Sequence, residues 1–165
     1  MTEMTSARLG LPYLAAGQAQ KEVAHNEALA LIDAACMAAA ESMDLAVPPG
    51  DAAPGQCWIV AAGGSGAWAG RDGALACMTD GGWRFLPPVM GMRLWIGDRG
   101  LWANWAGGWT VGIAPVAEIH VDGTRVIAAR QAAVAVPSGG ATIDGEARAA
   151  IAALIGRLQA HGLIG

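Results

Sequence analysis

One stretch of this chain is written twice. Leu75-Ala76-Cys77-Met78-Thr79-Asp80-Gly81-Gly82-Trp83 aligns without a gap on Leu101-Trp102-Ala103-Asn104-Trp105-Ala106-Gly107-Gly108-Trp109, leucine on leucine and Gly-Gly-Trp on Gly-Gly-Trp. Upstream, Gly55-Gln56-Cys57-Trp58-Ile59-Val60 answers Gly91-Met92-Arg93-Leu94-Trp95-Ile96. Short apolar runs divided by Asp72-Gly73, Asp80-Gly81-Gly82 and Gly107-Gly108 read as strands and turns. The duplication therefore predicts a small β unit used twice, the second copy with a shorter loop.

All seven tryptophans of the chain lie in this region, between Trp58 and Trp109, in a chain with a single tyrosine and a single phenylalanine. Tryptophan offers a large apolar plate and one N–H donor, so it serves small cores and binding faces alike. Trp58, Trp83, Trp95 and Trp109 fall at matching places in the two copies and are expected to be structural. Trp68 and Trp102 have no counterpart, and they are expected to face a ligand or a neighbouring subunit. Trp68 lies in Trp68-Ala69-Gly70-Arg71-Asp72, inside the insertion that distinguishes the first copy. Side chains alternate along a strand, so Leu101, Ala103 and Trp105 share one face and Trp102 and Asn104 the other. The candidate ligand-binding residues are thus Trp68, Arg71, Trp102 and Asn104.

The β region, residues 55–128, closes with Ile119-His120-Val121-Asp122-Gly123-Thr124-Arg125-Val126-Ile127. Its Asp-Gly pair suits a two-residue hairpin turn that needs positive φ, and His120 is expected to be an exposed strand residue. Before the sheet, residues 1–46 form a region read as helical from residue 13 to 45. Leu29, Ile32, Cys36, Ala39 and Met43 step by three and four, the spacing of a heptad seam. Extended backwards, the seam reaches His25, Glu22 and Gln18. Gln18, Gln20, Lys21, Glu22, His25 and Asn26 form either a solvated helix face or, at His25 and Asn26, a polar contact that fixes register at a subunit axis or on the β unit. Val47-Pro48-Pro49-Gly50 begins a stiff connector.

The third region, residues 141–165, is a second helix. Asp144 is its expected N-cap, with Glu146 in the first turn. Ala147, Ile151, Leu154 and Leu158 make an apolar stripe widened by Ile155, and Gly162 provides a left-handed stop on which Leu163 folds back. A helix this short is marginal alone, so it needs a partner: the first helix or copies of itself. The fold class is α+β: an N-terminal helix, a small antiparallel β domain, and a C-terminal helix.

Other features narrow the function by exclusion. A net charge of −4 argues against a nucleic acid partner, whose phosphates call for a basic surface. Apolar runs are broken well short of the ~20 residues a membrane helix needs, so no membrane insertion is expected. Met1–Ser6 lacks the basic and apolar parts of a signal peptide. Cys36, Cys57 and Cys77 have no metal-type spacing and sit in apolar contexts, so all three are expected as buried free thiols of a chain made in a reducing cytoplasm. No nucleophile elbow, phosphate loop or His-Glu-x-x-His motif occurs. Gly63-Gly64-Ser65-Gly66 lacks a following helix and reads as a hairpin loop, while Asp72, Asp80 and Asp98 sit in turn contexts. The expectation is a non-enzyme without catalytic residues, metal or cofactor.

Four segments carry a resemblance. Leu11-Pro12-Tyr13-Leu14-Ala15-Ala16-Gly17-Gln18-Ala19-Gln20-Lys21-Glu22-Val23-Ala24-His25-Asn26-Glu27-Ala28-Leu29, the Gly66–Gly70 and Asp80–Phe85 stretches, and the tail from Val126 to Ile164 resemble an uncharacterised domain family of alphaproteobacterial prophages and gene transfer agents, described as phage tail-fibre-like. The resemblance implies a structural or adsorption protein of a phage-like particle, trimeric as fibres usually are, released by lysis. It supplies no catalytic residues. The seam residues of such a homotrimer would be His25, Asn26, Leu29, Ile32, Cys36, Ile151, Leu154 and Leu158. The partners implied are copies of this chain, other particle proteins and host-surface polysaccharide. The alternative is an architectural connector or baseplate module that touches no glycan.

Overall fold

A computed structural model of the chain describes residues 5–14, 21–141 and 144–164. The fold is α+β, with one helix before and one after a largely antiparallel set of strands. The chain divides into two compact units, Met1–Ala114 and Pro115–Gly165.

In the first unit, α1 (Lys21–Ala35) is followed by β1 (Ala39–Ala40), β2 (Cys57–Ile59), β3 (Leu75–Thr79), β4 (Gly82–Leu86), β5 (Arg93–Ile96), β6 (Leu101–Trp105) and β7 (Trp109–Val111). These form two sheets, β2-β3-β4 and β1-β5-β6-β7. Each copy of the repeat is one antiparallel three-stranded meander. Their inner faces share one core, built of Cys57, Ile59, Leu75 and Cys77 from the first sheet and Ala40, Leu94, Ile96 and Ala103 from the second, with Ala34 of α1.

The helix ends earlier than its sequence predicts. Residues 36–43 contain no Gly or Pro, yet Met37 turns to a φ of 49° and the following residues run extended. Trp95 N donates to Ala38 O and Gly97 N to Ala40 O on one side; on the other, Glu41 N donates to Cys57 O and Ile59 N to Ser42 O. This segment bridges the two sheets, and the gain of backbone hydrogen bonds on both sides outweighs a helix propensity worth only tenths of a kcal/mol per residue. Ala39 and Met43 therefore leave the predicted helical seam. The stop is reinforced by Arg8, whose guanidinium donates to the carbonyls of Asp33 (2.8 Å), Ala34 (3.2 Å) and Met37 (2.9 Å), a cation where the helix dipole favours one.

The remaining seam residues of α1 divide. Asn26 accepts from Leu14 N (2.9 Å) and donates to Leu14 O (3.1 Å); it fastens the segment before the helix and is not free to line a subunit axis. His25 and Ile32 are exposed and Leu29 half-buried on the outer side of the helix, and Cys36 is exposed just past its end. Gln18 and Gln20 lie outside the described residues.

The cysteines also depart from expectation. Cys57 and Cys77 oppose one another across β2 and β3 and form a disulfide, leaving Cys36 as the free thiol, and an exposed one. Cross-strand register, which sequence spacing does not reveal, brings the pair together.

The second unit holds β8 (Ile119–Val121), β9 (Thr124–Ile127) and α2 (Gly145–Ala160). The 119–127 hairpin, read with the β region in the sequence, belongs here. Asp122 and Gly123 both take positive φ, 47° and 74°, as a two-residue turn of this kind requires. His120 is exposed and pairs with Glu118 at 2.7 Å. Asp144 caps α2 by accepting from Ala147 N at 2.8 Å, and Gly162 closes it at φ 71°. Leu163 N folds back onto Leu158 O, but Leu163 stays exposed and it is Ile164 that is buried, as is Ile155 of the helix. Arg130 Nε donates to Ile164 O, so the tail is held to the stretch after the hairpin. Ile151 and Leu154 are exposed on α2, and Leu158 is half-buried. Among the described residues, no helix is long and apolar enough to cross a membrane.

Candidate functional site: an open aromatic face

Strand pairing fixes how the two copies correspond. Ile59 opposes Leu75 and Trp58 opposes Ala76 in the first; Ile96 opposes Leu101 and Trp95 opposes Trp102 in the second. Trp58 and Trp95 are thus true equivalents, one residue away from the match that the flanking glycines suggest. Both point away from the shared core, to the outer face of their sheets.

The two outer faces are finished differently. In the first copy, residues 61–74 fold back as a loop with a short 3-10 turn at Gly66–Trp68. It lays Trp68 against Trp58 (ring centroids 6.4 Å) and Trp83 (5.1 Å). Small Ala76 opposite Trp58 leaves the room, and a second core forms from Trp58, Val60, Trp68 and Ala76, flanked by Trp83 and Phe85. The loop is anchored by Asp72, which accepts from Gly63 N (2.9 Å) and Gly64 N (2.8 Å); those bonds hold its carboxyl below the ordinary carboxylate pKa. A Cβ on Gly64 would lie 2.6 Å from Trp68 O, so glycine is needed for the loop to come this close.

In the second copy the connection from β5 to β6 is only Gly97–Gly100, and nothing folds back. Trp102 stands where Ala76 stands in the first copy. Trp95 and Trp102 meet edge to face at 5.3 Å and remain 37% and 43% exposed. Arg93, one alternation before Trp95, lays its guanidinium 4.4 Å from the centre of the Trp102 ring. Asn104 pairs with Arg93 across the strands and donates from Nδ2 to Ile113 O at 2.7 Å, fixing the chain that leaves β7. A cleft of about 150 Å³ opens beside the rings, with Gly100, Leu101 and Ile113 in its wall.

Two expectations about the site are overturned. Trp68 is 0% exposed; its ring is the lid of the second core, so it cannot meet a ligand. Arg71 packs over Phe85 at 4.9 Å, on the first sheet, and does not join Trp102 and Asn104 on the second. Arg93 and Trp95 take their places. Their signal was in the sequence: in Arg93-Leu94-Trp95-Ile96, exposed and buried positions alternate strictly, which puts Arg93 and Trp95 on one face.

The matching Gly-Gly-Trp triplets do not place their rings alike either. Thr79 and Gly82 pair around a two-residue turn, whereas Trp105 pairs with Trp109 around three residues. The extra residue shifts register by one and reverses the faces. Trp83 packs with the outer cluster, while Trp109 turns inward onto the shared core and donates from Nε1 to Gly73 O at 2.8 Å.

Among the described residues, no three His, Cys, Asp or Glu side chains converge where a metal ion could be held. The site is an aromatic platform with one cation and one amide, suited to non-covalent recognition of a flat, polar ligand. The chain belongs to the family described as "Protein of unknown function (DUF2793)", whose model matches residues 25–110, a span that takes in both copies of the β unit. No curated protein matches the sequence.

Proposed function

We propose that this protein is a structural component of a phage tail or gene-transfer-agent particle, a fibre or spike that contacts host-surface polysaccharide. It acts by binding, without catalysis or a cofactor. The observation that carries the binding half of this reading is the open Trp95–Trp102 face, because exposed indole plates flanked by polar donors stack on sugar rings. The particle half rests on the sequence resemblance at Leu11–Leu29 and in the later segments. Apolar side chains on the outer side of each helix, Leu29 and Ile32 on α1 and Ile151 and Leu154 on α2, support seams between copies in a homotrimer.

Adsorption tests the reading. Purified protein is expected to bind host cells or isolated capsule, and Trp102→Ala to weaken that binding while leaving the fold intact. Undiminished adsorption by Trp102→Ala would remove the platform from the account. Light scattering tests the trimer separately, and a monomer mass at micromolar concentration would exclude it.

A second reading, an architectural connector with no glycan ligand, is favoured by a different surface. Ile32 and Ala35 of α1, with Leu86, Val89 and Met90, line an open apolar groove of about 640 Å³. Val89 and Met90 are among the more exposed apolar side chains of the first unit. On this reading Met90→Glu detaches the chain from the particle, and capsule binding is absent from the start.

A further inference from the structure

The two copies of the β unit form an internal comparison. Where the first closes its outer face with Trp68 from its own loop, the second leaves the equivalent surface, with Trp102 in the place of Ala76, open to solvent. Whatever occupies that face does for the second copy what residues 61–74 do for the first.

Arg93 narrows what the occupant is. Its side chain makes no hydrogen bond and no ion pair among the described residues, in contrast to Arg84 with Glu27, Arg99 with Asp44 and Arg125 with Glu118. Its contact is the stack on Trp102. A guanidinium over an aromatic face carries its N–H donors in a rigid planar fork. Such a fork matches a carboxylate with two parallel hydrogen bonds. In a chain of net charge −4, a cation held over an open aromatic plate is a local exception to the overall charge, and it stands where a bound ring would carry its substituents.

We propose that this face binds a carboxylated saccharide: the sugar ring lies against Trp95 and Trp102 over the cleft bounded by Leu101 and Ile113, and its carboxylate takes the edge donors of Arg93. The proposal rests on the saccharide-binding reading above and restricts it to acidic sugars. A neutral sugar would keep the stacking and lose the ionic hydrogen bonds.

The test uses the full chain, titrated by calorimetry and tryptophan fluorescence with oligomers of galacturonic and glucuronic acid and, in parallel, with galactose and glucose oligomers of equal length. An acidic oligomer is expected to bind about tenfold more tightly than its neutral match, as ionic hydrogen bonds permit. Arg93→Gln should erase that difference, and Trp102→Ala should weaken both. Equal binding of acidic and neutral oligomers, unchanged by Arg93→Gln, would overturn the acidic assignment and leave the saccharide reading standing. Binding of neither kind would overturn both. Acidic binding that survives Trp102→Ala undiminished would reduce the site to a charge contact and remove the stacking geometry proposed here.

Discussion

Trp68 meets Trp83 nearly at right angles, ring centroids 5.1 Å apart and planes 81° from parallel. That contact joins an inserted loop to the last strand of its own sheet, and it makes Trp68 a keystone of the first copy. Burying a tryptophan is worth about 4 to 6 kcal/mol in gross apolar transfer. Trp68→Ala is expected to destabilise the first unit by about 3 to 5 kcal/mol, and Trp102→Ala by about 1 to 2 kcal/mol, the loss of its contacts with Trp95 and Arg93. Urea unfolding followed by tryptophan fluorescence separates them; equal losses would mean that the two rings are similarly buried.

Asp33 should matter out of proportion to its size. It is buried, and it accepts from Ser6 Oγ (2.8 Å), Arg8 N (3.0 Å) and Leu9 N, clasping the segment before α1 to the helix end. Asp33→Ala strands those donors and is expected to cost about 3 kcal/mol. Limited proteolysis reads the same event, since cleavage within residues 5–14 should become fast in the variant. A cleavage pattern like that of the unaltered chain would mean that Arg8 and Asn26 suffice to hold the segment.

The loop of the first copy should be acid-sensitive at one point. Gly63 N and Gly64 N favour the ionised form of Asp72 and lower its pKa in the folded chain. The tie is therefore complete at neutral pH and is lost only as pH falls through that lowered value, beneath the ordinary 3.8. The amide resonances of Gly63 and Gly64 should titrate together with a midpoint below 3.8, and Asp72→Asn should abolish the transition. A midpoint at or above the ordinary value would show that the two hydrogen bonds do not persist in solution.

Thiol counting checks the cysteine assignment. The native, unreduced chain should react with a thiol reagent at Cys36 alone, whereas reduction under denaturing conditions should expose all three cysteines. Three reactive thiols in the unreduced, unfolded chain would mean that Cys57 and Cys77 do not pair.

What could be read from the sequence was local. The Asp122-Gly123 turn, the Asp144 cap and the Gly162 stop each follow from the conformational preferences of a few neighbouring residues. So does the alternation that separates Ala103 from Trp102. What escaped depended on contacts distant in sequence. The end of α1 at Ala35 is set by strands lying twenty and sixty residues further on, roughly, which recruit an alanine-rich stretch that local propensity would keep helical. The burial of Trp68 depends on the small side chain of Ala76 facing Trp58, and the Cys57–Cys77 bond on strand register. At the site, alternation alone marks Trp102 and Asn104, whereas the match of Trp95 to Trp58 in the repeat masks the exposure of Trp95 and of Arg93 beside it. The twins do hold the same position; only one of them has a cover.

The unequal hairpins, two residues at Asp80-Gly81 and three at Ala106-Gly107-Gly108, bear on how such a protein diverges. Substitution alters one side chain at a time, but a change of a single codon in a turn exchanges the two sides of an entire strand. Loss of Gly107 would restore the shorter turn and carry the ring of Trp109 off the Gly73 carbonyl to the opposite side of the sheet. In a duplicated unit of this kind, segment length is the heritable variable that decides whether an aromatic residue becomes interior or surface, and two halves can keep the same letters while ceasing to be the same object.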